Sequence, residues 1–338
     1  MPISTTHTKP WSKWHQRLHK SLKGEQDLLP FGASLLLSIS GGQDSMALLK
    51  LILDLKRIYN WELNVWHGDH GWHNQSSKTC QELKNWCEMQ KLTFYYQETS
   101  KEIISSEEKA REWRYTKLIE QAEIITKDNP SSPCKYVLTG HTGTDRAETF
   151  IMNLARGAYL GGLSSLKESR SLKDKIQLIR PMINFKREET IQICNHMNLP
   201  IWIDPSNSDI KLSRNRVRKE IMPVLEDLHS GSTIRIANLA DKLSSLSDDQ
   251  NQLTALAIEA IKTIDGIDRV KLEPLSIKAR SIIFARWLAN NSAPFISPNQ
   301  LLELSQKVSK GKPPGSIELS KKWEIRWTKN SIKIINPS

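Results

Sequence analysis

Cysteine is scarce in this chain, with 4 residues among 338, and its placement argues against several classes of protein. No two cysteines form a Cys-x-x-Cys pair and no secretory signal precedes them, so a disulfide framework, a zinc ribbon and a redox dithiol are poorly supported. No apolar run is long enough for a membrane-spanning helix. The sequence also lacks the Gly-Lys-Ser/Thr ending of a Walker loop and the Gly-x-Gly-x-x-Gly fingerprint of dinucleotide-binding proteins.

Acidic residues are too few to balance the basic ones. Lys and Arg number 48 against 37 Asp and Glu, which gives a formal net charge of +11. Such an excess favours a polyanionic partner, with nucleic acid as the first candidate. A basic surface that serves only solubility is the alternative for the charge taken alone.

What the chain does contain is a regular alternation of strand-like and helix-like segments from residue 31 onward. Short apolar runs predict strands, and the segments between them carry apolar residues at helical spacing. Strands are predicted at residues 35–39, 63–67, 92–96, 136–139 and 177–179, and helices at 45–58, 76–90, 107–125, 145–156 and 187–197. This order predicts an α/β fold with a doubly wound parallel sheet, in which ligands bind outside the carboxyl ends of the strands.

The composition changes near residue 215, where we place a domain boundary. Residues 1–215 form the predicted α/β domain, and residues 216–338 a mainly helical domain that ends in a short β tail with basic turns. Trp11, Trp14, Leu18 and Leu22 lie on one face of a helix predicted at about residues 10–23. The acid-free N-terminal segment also resembles an organelle targeting sequence, so a docked helix and a targeting segment both stay open.

The strongest local motif joins the first predicted strand to its helix and reads Ser40-Gly41-Gly42-Gln43-Asp44-Ser45. Paired glycines allow a tight turn and leave no Cβ in the path of a phosphate, while the amides and dipole of a helix start favour an anion. Asp44 fits such a site if a cation such as Mg²⁺ bridges it to phosphate. The motif resembles the pyrophosphate-binding loop of the N-type ATP pyrophosphatases. A plain strand–helix connection is the alternative.

Further motifs follow in a fixed order along the chain. They are His67-Gly68-Asp69-His70-Gly71 after the second strand, Arg111 and Arg114 on one helix face, His141 with Asp145 and Glu148 after the fourth strand, and Arg214-Asn215-Arg216-Val217-Arg218. The histidines lack the tight spacing of zinc ligands, so nucleotide contact or packing is the better interpretation. Over roughly residues 31–225 this order resembles the tRNA(Ile)-lysidine synthetase family.

The resemblance implies a ligase that uses ATP to join free L-lysine to the wobble cytidine of tRNA(Ile) with a CAU anticodon. The cytosine C-2 oxygen is adenylated first, and the lysine ε-amine then displaces AMP at that carbon. In this scheme the loop from Ser40 to Ser45 binds ATP together with His67, His70 and His141.

The remaining motif residues fit the other tasks of that reaction. Arg111 or Arg114 would neutralise charge on the α-phosphate, although an ion-paired helix face is the alternative. Asp145 and Glu148 would hold the lysine, and one of them would accept a proton from its ε-amine, which is almost wholly protonated near neutral pH. A helix-start charge bias or a surface salt bridge is the alternative for this pair. The residues predicted to contact tRNA are Arg214, Arg216 and Arg218, with Lys321 and Lys322 of the β tail.

Some positions depart from the family pattern. His73 stands where Arg is usual, Thr142 where a second His is common, Thr144 where the first of two acids is common, and Arg146 where Gln is usual. These departures leave open which carboxylate carries which task. A tRNA thiolase of the same superfamily, a synthetase acting on a small metabolite and a tRNA-binding protein with an inactive nucleotide loop remain as alternatives. We expect a cytoplasmic protein without a membrane partner, and a homodimer is one assembly that the sequence allows.

Overall fold

The computed structural model describes residues 11–23, 28–69, 76–99, 106–164, 166–202, 213–294, 296–320 and 323–336. The chain divides into two compact units, Met1–Ser244 and Ser245–Ser338. No helix within the described ranges is both long enough and apolar enough to cross a membrane.

A six-stranded sheet forms the centre of the first unit. Its strands are β1 (Ser34–Ser38), β2 (Glu62–Asp69), β3 (Thr93–Glu98), β4 (Cys134–Thr139), β5 (Ser169–Lys173) and β6 (Ile176–Ile179). They lie in the order β3-β2-β1-β4-β6-β5, and every neighbouring pair is parallel except β5 with β6. The predicted α/β fold with a doubly wound sheet is confirmed. The antiparallel edge strand β5 was missed because its sequence, Ser-Arg-Ser-Leu-Lys, is polar and largely exposed.

Helices cover both faces of this sheet. They are α1 (Lys13–Leu22), α2 (Gln43–Tyr59), α3 (Ser76–Met89), α4 (Glu107–Asp128), α5 (Gly143–Ala155), the short α6 (Leu160–Leu163) and α7 (Arg187–His196). Side chains alternate across a strand, so Leu35 and Leu37 of β1 face the core that includes α1, α2 and α7, whereas Leu36 faces the core beneath α4. All three leucines are fully buried, as expected for a central parallel strand.

The N-terminal helix is present and docked on this unit. Trp14, Leu18 and Leu22 of α1 are buried in the core, and the His15 imidazole lies 3.2 Å from the Asp54 carboxylate of α2. Trp11, which was predicted to share the buried face, precedes the helix and is 45% exposed. Residues 1–10 and 24–27 lie outside the described residues, so the targeting interpretation stays a prediction.

The first unit extends beyond the predicted composition boundary near residue 215. A short helix α8 (Ser213–Arg216), a π-helical turn (Val217–Ile221), α9 (Met222–Leu228) and the first part of the long α10 (Ser232–Ile261) follow the α/β region in this unit, and the residues of α10 from Ser245 onward belong to the second unit. Val217 and Met222 pack with Ala147 of α5 and Ala237 of α10 in one small apolar cluster. The change in composition and the division between compact units therefore fall at different places, because the basic segment packs against α5.

The second unit combines helices with a small antiparallel sheet. Its elements are β7 (Lys262–Thr263), β8 (Gly266–Asp268), α11 (Arg269–Leu272), α12 (Ile277–Asn290), α13 (Pro298–Lys307), β9 (Gly315–Glu318), β10 (Glu324–Trp327) and β11 (Ser331–Ile335). The strands lie in the order β7-β8-β11-β10-β9. The Arg269 guanidinium is buried and donates hydrogen bonds to the carbonyl oxygens of Val308, Thr328, Ser309 and Lys312, which ties the loops of this unit together.

Candidate active site

The loop between β1 and α2 has the geometry of an anion-binding turn. Gly41 has φ +87°, a left-handed conformation that favours glycine, and a Cβ there would lie 3.1 Å from the Trp202 ring. Gly42 caps α2 without a side chain, so the first amides of the helix are not covered by a capping group. The Ser45 hydroxyl donates to the Gly42 carbonyl at 2.8 Å and lies 3.3 Å from the Ser40 hydroxyl. The loop thus presents two hydroxyls and a helix start at the carboxyl edge of the sheet.

Asp44, on the first turn of α2, is held by two residues of α7 that the sequence motifs did not indicate. Arg187 lies 2.9 Å from one of its carboxylate oxygens, and the Thr190 hydroxyl donates to the other at 2.5 Å. Gln43 also reaches α7, donating to the Arg187 carbonyl at 2.9 Å. Burial raises the pKa of Asp44 to about 6, although Arg187 opposes that shift. The one available signal was position, since α7 begins just after β6 at the same edge of the sheet.

The segment after β4 lies directly against this loop. A Cβ on Gly140 would fall 2.8 Å from the Asp44 carbonyl oxygen, so the two backbones meet with no room for a side chain. His141 follows, with its Nδ1 2.9 Å from the Thr139 hydroxyl. Burial lowers the pKa of the His141 imidazole to about 3, with the charge of Asp145 opposing that shift and the charges of Arg180, Arg214 and Arg111 increasing it, so this ring is neutral near pH 7.

Asp145 and Glu148 lie on the first turns of α5, and both face two arginines. The Arg214 guanidinium donates to Asp145 at 2.8 Å and to Glu148 at 3.1 Å. The Arg218 guanidinium donates to Glu148 at 2.6 and 2.8 Å and reaches Asp145 at 3.4 Å. Glu148 is fully buried, and each arginine side chain is only 20% exposed. The predicted lysine-binding carboxylates and two of the predicted tRNA-binding arginines therefore form one ion-pair network.

The charge state of Asp145 follows from this network. Burial would raise the pKa of its carboxyl, but Arg214, His141, the Thr142 amide and Arg218 together lower that pKa well below its ordinary value. The Thr142 amide and hydroxyl donate to Asp145 Oδ2 at 2.8 and 2.9 Å, so this oxygen also closes the cap of α5. Thr144, at the position where the family commonly has an acid, accepts from the Arg187 amide at 3.1 Å and thereby joins α5 to α7.

Strand β2 ends beside the loop with His67 and Asp69. The His67 Nδ1 lies 2.8 Å from the Ile39 carbonyl, and its ring stacks on Tyr96 with centroids 6.1 Å apart. Burial lowers the pKa of His67, and the charge of Arg114 on α4 lowers it further. His67 and Arg114 thus lie close to each other on the side of the loop away from Asp145. His70 and His73 lie outside the described residues.

The other predicted residues fall in different surroundings. The exposed Arg111 guanidinium lies over the Tyr115 ring of the same helix, 5.4 Å from the ring centroid. Arg216 points to solvent and pairs with Glu220 at 3.2 Å. Arg146 donates to Asp241 at 2.8 Å and to the Leu166 carbonyl, so it fixes α10 against α5. Lys321 and Lys322 lie outside the described residues.

The described residues contain no group of three or more His, Cys, Asp or Glu side chains that could hold a metal ion. Asp44 is the one predicted metal ligand, and a single carboxylate beside a phosphate-binding loop is how proteins commonly hold Mg²⁺ that is bound mainly by phosphate oxygens and water. The Asp44 carboxylate, which already faces the cationic Arg187, is compatible with such a cation.

The fold and the loop define the class of protein. The sheet carries its phosphate-binding turn directly after β1. Residues 13–225, which include this sheet, match a family model described as a PP-loop domain, so this chain is a PP-loop protein. Among PP-loop proteins, the relatives that match this chain along nearly its full length are tRNA(Ile)-lysidine synthases. The chain therefore belongs to the tRNA(Ile)-lysidine synthase family.

These relatives cover nearly the whole chain. A tRNA(Ile)-lysidine synthase from Prochlorococcus marinus (strain SARG) is 61% identical over 99% of this chain and 100% of its own length. A protein of the same name from Parasynechococcus marenigrum is 40% identical over 97% of this chain and 96% of its own. Among solved structures, the U34-tRNA thiolase NcsA from Methanococcus maripaludis has a TM-score of 0.52 and 20% identity, covering 68% of this chain and 77% of that one, which shows a shared fold.

Proposed function

We propose that this chain ligates free L-lysine to C-2 of the wobble cytidine of CAU-anticodon tRNA(Ile), converting ATP to AMP and pyrophosphate. The observation that carries the proposal is the contact between two segments at the carboxyl edge of the sheet. One is the PP-loop after β1, and the other is the Gly140–Glu148 segment after β4, which carries a buried pair of carboxylates. A nucleotide on the first would lie next to a cation held by the second.

The first step is adenylation of the cytosine. The C-2 oxygen attacks the α-phosphorus of ATP, a bond forms between them, and pyrophosphate leaves. Ser40, Ser45 and the free amides at the start of α2 would hold the departing phosphates, and Arg114 or Arg111 would offset the negative charge that builds on the α-phosphate. Mg²⁺ held by Asp44 would neutralise phosphate charge when bound. His67 and His141, both with pKa values lowered by burial, would contact the nucleotide as neutral rings.

The second step is attack by the amine. The lysine ε-nitrogen bonds to C-2, AMP leaves with the original oxygen, and the nitrogen gives up a proton. An ammonium cation needs carboxylate partners before it loses that proton, and Asp145 and Glu148 supply them in a buried place. Arg214 and Arg218 now occupy both carboxylates, which supports the interpretation of this pair as a site for cations. Binding of RNA phosphates by these arginines would free the carboxylates for the amine.

The test is incorporation of labelled lysine. Purified protein, ATP and an in vitro transcribed CAU-anticodon tRNA(Ile) should place the label in RNA, and methionine tRNA with the same anticodon serves as the matched control. We expect label only in the isoleucine tRNA and release of pyrophosphate only when RNA is present. Pyrophosphate release without label would point to another adenylating reaction, and the absence of both would leave an RNA-binding protein with an inactive loop.

A tRNA thiolase is the second candidate, and the cysteines argue against it. Burial raises the pKa of the thiol to about 11 for Cys80 and to about 12 for Cys87, Cys134 and Cys194, so none is a ready thiolate. None of the four forms a disulfide in the structure. A tRNA substrate would place the enzyme in the cytoplasm, and a homodimer stays a prediction for the assembly.

A further inference from the structure

A second basic cluster lies at the same edge of the sheet, on the side of β6 and β5. Its members are Arg111 and Tyr115 of α4, Arg170 of β5, and Arg180, which directly follows β6. The Arg170 guanidinium lies over the Tyr115 ring at 4.7 Å from the centroid, and Arg111 lies over it at 5.4 Å. Three guanidinium groups thus surround one phenol.

Among the residues that the structure describes, this cluster contains no carboxylate. Within the described ranges, no carboxylate forms an ion pair with Arg111, Arg170 or Arg180, in contrast to Arg214 and Arg218 nearby. Burial would raise the pKa of Tyr115, yet that pKa is lowered because the charges of Arg111, Arg180 and Arg170 outweigh burial. Like charges repel one another, so an anion placed among these three guanidinium groups would be stabilised by all of them.

Arg180 supplies an independent sign of a missing ligand. Its side chain is 1% exposed, and one terminal nitrogen donates to the Lys167 carbonyl at 2.5 Å. Its Nε is buried without any hydrogen-bond partner in the structure. Burial lowers the pKa of Arg180 to about 10, a shift that the hydrogen bond to Tyr115 opposes and the charges of Arg170 and Arg111 increase, so the guanidinium keeps its charge near pH 7. A buried, charged donor with an unused N–H is costly unless an acceptor completes it.

We propose that Arg111, Arg170, Arg180 and Tyr115 form a binding site for a phosphate ester. Arginine matches the geometry of phosphate oxygens, and the exposed Arg170 and Arg111 would contact an anion together with the buried Arg180. Strand order favours an RNA phosphodiester as its source. The PP-loop follows β1, and β6 lies two strands away, roughly 10 Å along the sheet, on the side opposite β2 and His67. The site would fix the backbone of the RNA near the reacting base, an inference that rests on the proposed function.

The test compares Arg170→Gln with Arg57→Gln. Both residues are exposed, and both changes remove one positive charge, but Arg57 lies at the far end of α2, on the opposite edge of the sheet. Binding of an in vitro transcribed tRNA is measured at several salt concentrations, and KM for ATP is measured by pyrophosphate release. We expect Arg170→Gln to weaken tRNA binding roughly tenfold and to flatten the slope of log affinity against log salt by about 0.7 to 0.9, with Arg57→Gln near wild type. Arg170→Lys should recover most of the slope.

The outcomes separate the two sources of phosphate and separate this site from the proposed function. A raised KM for ATP with unchanged tRNA affinity would assign the site to the nucleotide and overturn the RNA assignment. Unchanged values for both ligands would overturn the site. If Arg170→Gln loses tRNA affinity while the wild-type protein fails to incorporate lysine, the phosphate site is kept and the proposed ligation is rejected.

Discussion

Arg218 forms a bidentate ion pair with the fully buried Glu148, at 2.6 Å through Nε and 2.8 Å through the terminal nitrogen. Arginine forks match carboxylates in this geometry, and a buried pair of this kind is strongly destabilised when only one partner is removed. The pair links the basic segment after the α/β region to the first turns of α5. It therefore joins Arg218, which we proposed to contact RNA, to Glu148, which we proposed to hold the amine.

The first prediction concerns this pair. Glu148→Gln should raise KM for lysine and slow the second step, so adenylated tRNA should accumulate. It should also lower the free energy of unfolding by roughly 3 kcal/mol, because Arg218 loses its bidentate partner in a buried place and keeps only the longer contact with Asp145. Urea denaturation and lysine kinetics measure the two effects. Glu220→Gln is the matched control, since Glu220 pairs with the exposed Arg216 and such pairs contribute less than about 1 kcal/mol. An equal fall in both chemical steps would show that Glu148 serves ATP instead.

The second prediction concerns the PP-loop. Asp44→Ala or Ser45→Ala should lower the rate of pyrophosphate release by about 100-fold or more, because a preorganised phosphate or cation contact is lost at the transition state. Affinity for tRNA should stay near wild type, because in the proposed reaction this loop would contact ATP and not RNA. Filter binding and a pyrophosphate assay give both values, with the exposed Asp249→Ala on α10 as the control. Near-normal adenylation in Asp44→Ala would contradict the role of this loop.

The third prediction uses the raised pKa of Asp44. Since burial raises that pKa to about 6, kcat/KM for ATP should fall as pH drops through about 6 and the carboxylate is protonated. Arg187 lowers this pKa, so Arg187→Gln should move the acid limb of the profile to higher pH. The pKa of Asp44 is 3.8 in the unfolded chain and about 6 in the native state. Between pH 3.8 and about pH 6 the native state therefore binds more protons at this group than the unfolded chain does. The contribution of Asp44 to the free energy of unfolding thus falls as pH rises through this range. An acid limb that does not move in Arg187→Gln would assign it to another group.

The fourth prediction concerns the contact between the two segments of the site. Gly140→Ala places a methyl group 2.8 Å from the Asp44 carbonyl oxygen, so the backbone after β4 must move away from the loop. We expect a loss of about 1 to 3 kcal/mol in unfolding free energy and a fall in kcat for both steps. A Cβ on Gly161 meets nothing within 4 Å, so Gly161→Ala is the matched control. Equal effects of the two substitutions would argue against a tight contact at Gly140.

The fifth prediction concerns the basic tail. Lys321→Glu with Lys322→Glu should weaken tRNA binding and flatten its salt dependence, because each phosphate contact contributes to that slope. Lys262→Glu with Lys333→Glu makes the same change of charge in the same unit, at lysines that already pair with Glu259 and Asp265. If tRNA affinity is unchanged in the first variant, or equally reduced in both variants, tRNA is held elsewhere. Arg214, Arg216 and Arg218 would then be the remaining predicted contacts.

Much of the fold followed from local pattern. Leu35, Leu36 and Leu37 form a short apolar run closed by two glycines, which is typical of a strand buried on both faces, and Trp14, Leu18 and Leu22 repeat at helical spacing on α1. The PP-loop was recognisable because its requirements are local: a left-handed glycine, a helix start and short hydroxyl side chains within a few residues. In each case the deciding neighbours are within a few positions along the chain.

The partners of the site residues depended on contacts between distant segments. Arg187 and Thr190 meet Asp44 across nearly the full α/β region, and Arg214 and Arg218 turn onto Asp145 and Glu148 because the basic segment packs on α5. No periodicity reports such pairings, since charged side chains at helical spacing look the same whether they face RNA, solvent or a buried carboxylate. Composition and motif thus determined the family and the position of the nucleotide loop, whereas packing of remote helices decided which charges the site leaves for its substrates.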